Sequence, residues 1–187
     1  MKNIESIVDE IFDLYQKYGD ADYIGEPVSQ LEHMSQAAQL AIEEGCDDEV
    51  VLAAFFHDIG HICASHYSEE KMAGYGVRRH EQIGAEFLLE RGFSSRVARL
   101  VENHVQAKRY LTYKYPGYYE NLSEASKKTL EFQGGRMNTL EASEFERDPL
   151  FDLSVRMRRW DELAKEVNTP LLDLELLKSK ARIVLAK

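Results

Sequence analysis

Cysteine is scarce in this chain: Cys46 and Cys63 are the two present, and they have neither CxxC spacing nor the numbers for a disulfide framework. Long apolar runs are missing too. No stretch approaches the roughly 20 residues needed to cross a bilayer. The start, Met1-Lys2-Asn3-Ile4-Glu5-Ser6, brings in an acid early and has no long apolar segment, so a signal peptide is not expected. Positive charge is in short supply. Net charge is −10 and no basic stripe is visible, which argues against nucleic acid and anionic membrane surfaces as partners. A soluble, cytoplasmic protein is expected. In so acidic a chain, an anionic substrate needs positive charge gathered locally, which makes each Lys or Arg near a site informative.

Strand alternation is nearly absent, whereas helical periodicity dominates the 187 residues. Ile4, Ile7, Val8, Ile11, Leu14 and Tyr15 predict a first helix ending near Gly19. Pro27 suits the first turn of a second, which runs to Gly45. Asp47 and Asp48 open a third, strongly apolar helix from Val50 to about Ile59. The stretch from Gly60 to Gly76 reads as a loop. Helices follow at about Val77–Arg91 and Ser94–Val105, then a turn around Pro116-Gly117 within the tyrosine-rich Arg109–Tyr119. Further helices are predicted near Ser123–Phe132, Thr139–Phe145, Leu150–Lys165 and Leu172–Ala186. Length and the lack of a linker favour one all-α domain over residues 1–187.

The sharpest local signal is His57-Asp58 at the end of the most apolar helix. A His and an Asp side by side there are costly unless both are paired or bind metal. Consecutive helical residues point about 100° apart, so the pair is able to address two adjacent ions, with the carboxylate bridging. His33, His80, His104 and Asp161 fall on other predicted helices, as suits a site inside a bundle. One ion would take His33, His57, Asp58 and Asp161; the other would take His80, His104 and Asp58. Nitrogen and oxygen donors without thiolate favour Fe, Mn, Co or Zn, and both ions keep open positions.

The surroundings carry further chemistry. Lys108 lies four residues after His104, and Arg158 three before Asp161, so each shares a helix face with a candidate ligand. Ser126, Thr129 and Gln133 form a polar stripe, and His61 follows His57 by four. Two cations and several neutral donors near metals describe a pocket for a small tetrahedral anion. Each residue also has a plainer reading as solvated surface.

His-Asp after an apolar helix, between a helical His and a later helical Asp, resembles the signature of HD-domain proteins; His80 and His104 match its di-metal branch. Longer segments narrow the likeness: Asp22-Tyr23-Ile24-Gly25-Glu26, Gln30-Leu31-Glu32-His33, Phe56-His57-Asp58-Ile59-Gly60-His61, His104-Val105-Gln106-Ala107-Lys108, Ser126 to Gly135, and Arg156-Met157-Arg158-Arg159-Trp160-Asp161. Over nearly its whole length the chain resembles the small HD-domain mixed-valence di-iron oxygenases of organophosphonate catabolism, relatives of myo-inositol oxygenase. The resemblance implies an HD-domain helical bundle and an Fe(II)/Fe(III) pair on the six ligands named above. It implies O2 as co-substrate and a small anionic 1-hydroxyphosphonate held by Lys108, Ser126, Thr129, Gln133 and Arg158. Tyr23 and Glu26 would form a movable gate, with His61 beside the reacting groups. Oxidative cleavage of the carbon–phosphorus bond would release phosphate, with glycine from 2-amino-1-hydroxyethylphosphonate or formate from hydroxymethylphosphonate. Glu26 offers a counter-charge for an amine and tilts the choice toward the amino substrate. Two alternatives share the ligands: an HD-type phosphohydrolase of a nucleotide or phosphoester, and a ligand-sensing module with an idle site.

Overall fold

A computed structural model describes residues 3–23, 25–64 and 76–187. Among these residues there are eleven α-helices and no sheet; an isolated β-bridge joins Asp22 and Ser29. In chain order they are α1 (Ile4–Tyr18), α2 (Gln30–Glu43), α3 (Asp48–Phe56), α4 (Ile59–Cys63), α5 (His80–Glu90) and α6 (Ser95–Lys114), followed by α7 (Pro116–Asn121), α8 (Glu124–Phe132), α9 (Thr139–Phe145), α10 (Phe151–Leu163) and α11 (Leu174–Leu185). No helix is long and apolar enough to cross a membrane among the described residues.

Helix α3 is the axis of the bundle. Val50 to Phe56 are all buried, because the helix has no polar face to turn outward and so must be covered on every side. Helices α2, α6, α10 and α11 pack against it. Phe55 stacks on Phe12 of α1 with ring centroids 5.8 Å apart, and Phe56 meets Phe93 edge-on at 5.5 Å. A smaller core of Ala107, Tyr110, Leu111, Met137, Ala142 and Phe145 joins α9 to the far half of α6.

Several boundaries differ from the sequence expectation, each for a local reason. Helix α2 begins at Gln30, three residues after Pro27. Ser29 caps it by accepting from the Glu32 N–H at 3.1 Å, while the Glu32 carboxylate accepts from the Ser29 N–H at 2.7 Å. This reciprocal pair is a stronger start signal than a proline ahead of it. Helix α5 starts at His80, later than Val77, after Arg79 in a left-handed conformation. Helix α6 continues past Val105 to Lys114, held by the second core. The expected loop after Gly60 opens with the short α4, and residues 65–75 lie outside the described residues.

Gly60 sets how closely two of these pieces approach. A Cβ there would lie 1.9 Å from the His80 carbonyl oxygen, so α4 and α5 touch backbone to backbone at a point that only glycine allows. Gly60→Ala is expected to destabilise the fold by at least about 2 kcal/mol through overpacking. Gly117→Ala, whose methyl would meet nothing within 4 Å, should leave the melting temperature unchanged or slightly higher. Paired thermal melts check both.

Candidate metal centre

Six side chains from five parts of the fold converge in the interior. His33 comes from α2, His57 and Asp58 from the break between α3 and α4, His80 from the first turn of α5, His104 from α6 and Asp161 from α10. All six are buried. The sequence expectation carried α3 on through this pair to Ile59, but α3 stops at Phe56 and Asp58 leaves the helical conformation (φ −105°, ψ 12°) before α4 restarts. The break turns Asp58 across the bundle, where it faces histidines on both sides.

Asp58 Oδ2 lies 3.4 Å from His57 Nε2 and 3.7 Å from His33 Nε2; Oδ1 lies 3.2 Å from His80 Nε2 and 3.4 Å from His104 Nε2. Asp161 Oδ1 joins the first set, 3.3 Å from His33 Nε2. The Nε2 atoms of His33 and His57 are 3.0 Å apart, and those of His80 and His104 are 3.1 Å apart. These spacings are informative because in three of the four rings the opposite nitrogen is committed; His80 Nδ1, with the Glu81 carboxylate 3.6 Å away, makes no hydrogen bond. His33 Nδ1 donates to the Ala164 carbonyl at 2.8 Å, His57 Nδ1 to Ala54 at 2.8 Å and His104 Nδ1 to Val101 at 2.6 Å. A carbonyl only accepts, so in each neutral ring the proton sits on Nδ1 and Nε2 is a bare lone pair. Lone pairs facing each other near 3 Å repel unless a proton or a metal cation lies between them. Metal–nitrogen bonds of about 2.0–2.1 Å put neighbouring donor atoms about 3.0–3.4 Å apart. Backbone acceptors behind the rings are the usual support for metal-binding histidines.

Electrostatics point the same way. Burial disfavours a charge on His57, yet the Asp58 and Asp161 carboxylates lift it to about 9. Burial pushes the Asp58 carboxyl up, but His57, His104 and His80 hold it well below the ordinary carboxylate range. Asp161 is likewise held low against burial by Arg158 and His33. The cluster is therefore built to retain positive charge between its rings.

His61 behaves differently. Its ring stacks on His80 at 4.0 Å, and Nδ1 accepts the Val77 N–H at 3.1 Å. Burial and the neighbouring His80 depress it to about 3, so it stays neutral. Asp58, His61 and His80 do lie within ligating reach of one another. With Nδ1 occupied, however, the His61 proton sits on Nε2, which suits a donor into the cavity better than a metal ligand.

Asp58, His80, His104 and Asp161 of the cluster line a 130 Å³ cavity together with Lys108, Ser126, Thr129, Gln133 and Arg158. All five residues read as anion-binding in the sequence therefore come together. Lys108 Nζ donates to Thr129 Oγ1 at 2.6 Å and to Gln133 Oε1 at 3.0 Å. Burial, then Arg158, pushes the Lys108 ammonium well below its usual range; a bound anion would relieve both. Arg158 is gripped along two edges. Nε donates to Glu162 Oε1 at 2.9 Å and to the Tyr118 hydroxyl at 3.0 Å, and Nη1 pairs with Asp161. Nη2 is buried with no hydrogen-bond partner. A buried guanidinium rarely leaves a donor unused unless a ligand takes it. Tyr23 lies flat over His33, centroids 3.9 Å apart, and Glu26 stands at the cavity rim paired with Lys165 at 2.6 Å.

Residues 30–143 match the HD domain family. The chain is 45% identical over 175 residues to an uncharacterised protein of Acanthamoeba polyphaga mimivirus, covering 94% of this chain and 80% of that one. It is 40% identical to a [1-hydroxy-2-(trimethylamino)ethyl]phosphonate dioxygenase (glycine-betaine-forming) of Leisingera caerulea, over 90% of this chain and 86% of the relative. It is 38% identical to a hydroxymethylphosphonate dioxygenase of Gimesia maris, over 90% of this chain and 83% of the relative. The chain belongs to the HD-domain phosphonate dioxygenase family. It is an all-α oxygenase of the HD fold, with a metal cofactor for which the buried His/Asp cluster is suited.

Sequence reading of this oxygenase missed the supports of the anion wall. Glu162 was readable, because an acid four residues after Arg158 is a standard helical ion pair. Tyr118 and Lys165 carried no such signal: they reach the site from α7 and from the segment that follows α10, and only the folded bundle puts them there.

Removing metal should uncouple the rings. Chelator-treated protein is expected to melt several degrees lower and to recover when Fe(II) or Mn(II) is returned, since a ligand that binds the native state alone stabilises it. His57→Ala should show little recovery. Melting curves with and without metal, run on both proteins, test the assignment.

Proposed function

We propose that this oxygenase cleaves the carbon–phosphorus bond of a small 1-hydroxyphosphonate, using two iron ions and dioxygen. The observation that carries the reading is a single cavity lined both by the His/Asp cluster and by a buried, partly unsatisfied Lys108/Arg158 pair. The names of the two dioxygenase relatives agree: both substrates place a hydroxyl and a phosphonate on one carbon.

His33, His57 and Asp161 would hold one iron and His80 and His104 the other, with Asp58 shared between them. An Fe(II)/Fe(III) pair held there would supply the redox chemistry toward dioxygen. Arg158 Nη2 and the Lys108 ammonium bind phosphonate oxygens, and Thr129, Ser126 and Gln133 orient them. That fixes the C1 hydroxyl and the C1–H toward the metal side, where position rather than new protein chemistry lowers the barrier. His61 Nε2 presents a proton donor at the cavity wall. Across the whole reaction the C1–H and C–P bonds break, one oxygen atom goes to the carboxylate product and the other to phosphate. The substrate supplies every electron that dioxygen takes, so no external reductant is consumed. Hydroxymethylphosphonate would give formate, and 2-amino-1-hydroxyethylphosphonate would give glycine.

Tyr23 acts as the gate in this reading. Its ring covers His33 and the mouth of the first metal position. The turn carrying it is tied by the Tyr23 N–H to the Val28 carbonyl at 2.9 Å, with Gly25 at φ 80° between. Burial and the Asp58 and Asp161 carboxylates push its phenol well above the usual range, whereas a metal ion held beside it would act in the opposite direction. Tyr23→Phe should keep its iron while its mixed-valence paramagnetic resonance decays faster in air without substrate than in wild type.

Hydroxymethylphosphonate turnover in an oxygen electrode cell tests the function, with phosphate release expected in step with dioxygen uptake. Release of phosphate without uptake would instead mark a hydrolase. Arg158→Ala is expected to weaken substrate binding by about 2–4 kcal/mol, the scale for leaving a buried charge unpaired, at unchanged iron content. Unaltered affinity in that variant would remove the anion wall from the mechanism.

A further inference from the structure

With the phosphonate anchored by Lys108 and Arg158 and C1 turned to the metals, a substituent on C1 needs room beyond both. Glu26 and Ser126 line the first cavity and also an adjoining one of 280 Å³, which offers that room. The far walls of this second cavity carry Tyr118, Asn121, Ser123, Glu162 and Lys165. Its chemistry decides which substituents are welcome, and that choice rests on the 1-hydroxyphosphonate reading above.

Glu26 alone would favour an ammonium. It is not alone: Lys165 Nζ donates to Glu26 Oε1 at 2.6 Å, with the two side chains 20% and 11% exposed. The other acid, Glu162, accepts from Arg158 Nε at 2.9 Å and from the Tyr118 hydroxyl. Among the described residues lining this cavity, no carboxylate is left without a partner. What remains on offer is uncharged: the Asn121 amide and the Ser123 and Ser126 hydroxyls. A cationic substituent entering here would have to evict Lys165 and strand a largely buried ammonium, and separating one member of such a pair is costly. Like charge against the intruder is a standard way of rejecting it.

We propose that Lys165 occupies the place of a substrate ammonium, so that this oxygenase selects 1-hydroxyphosphonates whose C1 substituent is hydrogen or an uncharged hydroxyl-bearing group over those carrying a cation. Lys165 is a specificity residue in this arrangement and touches neither the metals nor the phosphonate.

The test compares phosphate release from hydroxymethylphosphonate and from 2-amino-1-hydroxyethylphosphonate by the iron-loaded full chain and by Lys165→Met. Wild type is expected to favour the uncharged compound in kcat/KM by roughly tenfold, and Lys165→Met to shift the ratio toward the ammonium compound by a similar factor. The double variant Glu26→Gln/Lys165→Met should return the preference to the uncharged compound, because no free acid then remains. A wild-type preference for the ammonium compound, or turnover of both without preference, overturns the inference and leaves the proposed reaction standing. An unchanged ratio in a folded Lys165→Met does the same. Turnover of neither compound by wild type overturns the proposed reaction and the inference together.

Discussion

The structure depends on one carboxylate shared between two pairs of histidines. Asp58 sits where a fully apolar helix breaks, and each of its oxygens faces a different pair of Nε2 lone pairs at 3.2–3.7 Å. No packing of neutral side chains stabilises such an arrangement; four imidazoles and two carboxylates in a dry interior need a positive charge among them. The rest of the bundle meets that need. Helix α3 supplies a covered axis, Gly60 lets α5 come close enough to bring His80 to Asp58, and the carbonyls of Ala54, Val101 and Ala164 fix the ring tautomers. Several strained or costly features are thus concentrated around one small volume, as is usual for functional sites.

Across the cavity the logic is reversed. There two cations are buried with more donors than acceptors: Lys108 is satisfied by neutral oxygens, and Arg158 keeps Nη2 without a partner. A negative cluster that wants metal and a positive pair that wants an anion border the same 130 Å³ space and meet where Arg158 pairs with Asp161. A small substrate with a phosphonate at one end and a metal-seeking hydroxyl next to it satisfies both at once. Size and charge together explain why an acidic protein handles an anion: the long-range field repels it, and the few buried donors act only at contact.

Much of this was legible in the chain. Helical periodicity located most elements, and the helical spacing of Lys108 from His104 and of Arg158 from Asp161 carries into the fold, where both cations line the cavity, because α6 and α10 run unbroken through those positions. Boundaries were less legible. Pro27 drew the start of α2 too early, whereas the side chains of Ser29 and Glu32 set it. In the tyrosine-rich stretch after Arg109 the chain does turn, at Tyr115 just before Pro116, but α6 first runs on to Lys114 because Tyr110 and Leu111 are buried against Met137 and Phe145. What could not be read were the long-range pairs. Glu26 meets Lys165 across 139 positions of sequence and Arg158 meets Tyr118 across 40. No local pattern encodes such contacts, so Glu26 read as an open counter-charge for an amine, when the fold already provides its cation.

Asp58 is also where a direct measurement bears most heavily. Iron content and magnetic coupling, determined together on wild type and Asp58→Ala, address whether one carboxylate serves two metals. Two irons per chain are expected in wild type, with the coupled signal of a mixed-valence pair, and the variant should lose the coupling along with most of its iron. A variant that retained two irons and an unchanged coupled signal would contradict the shared carboxylate, and with it the arrangement of the whole site.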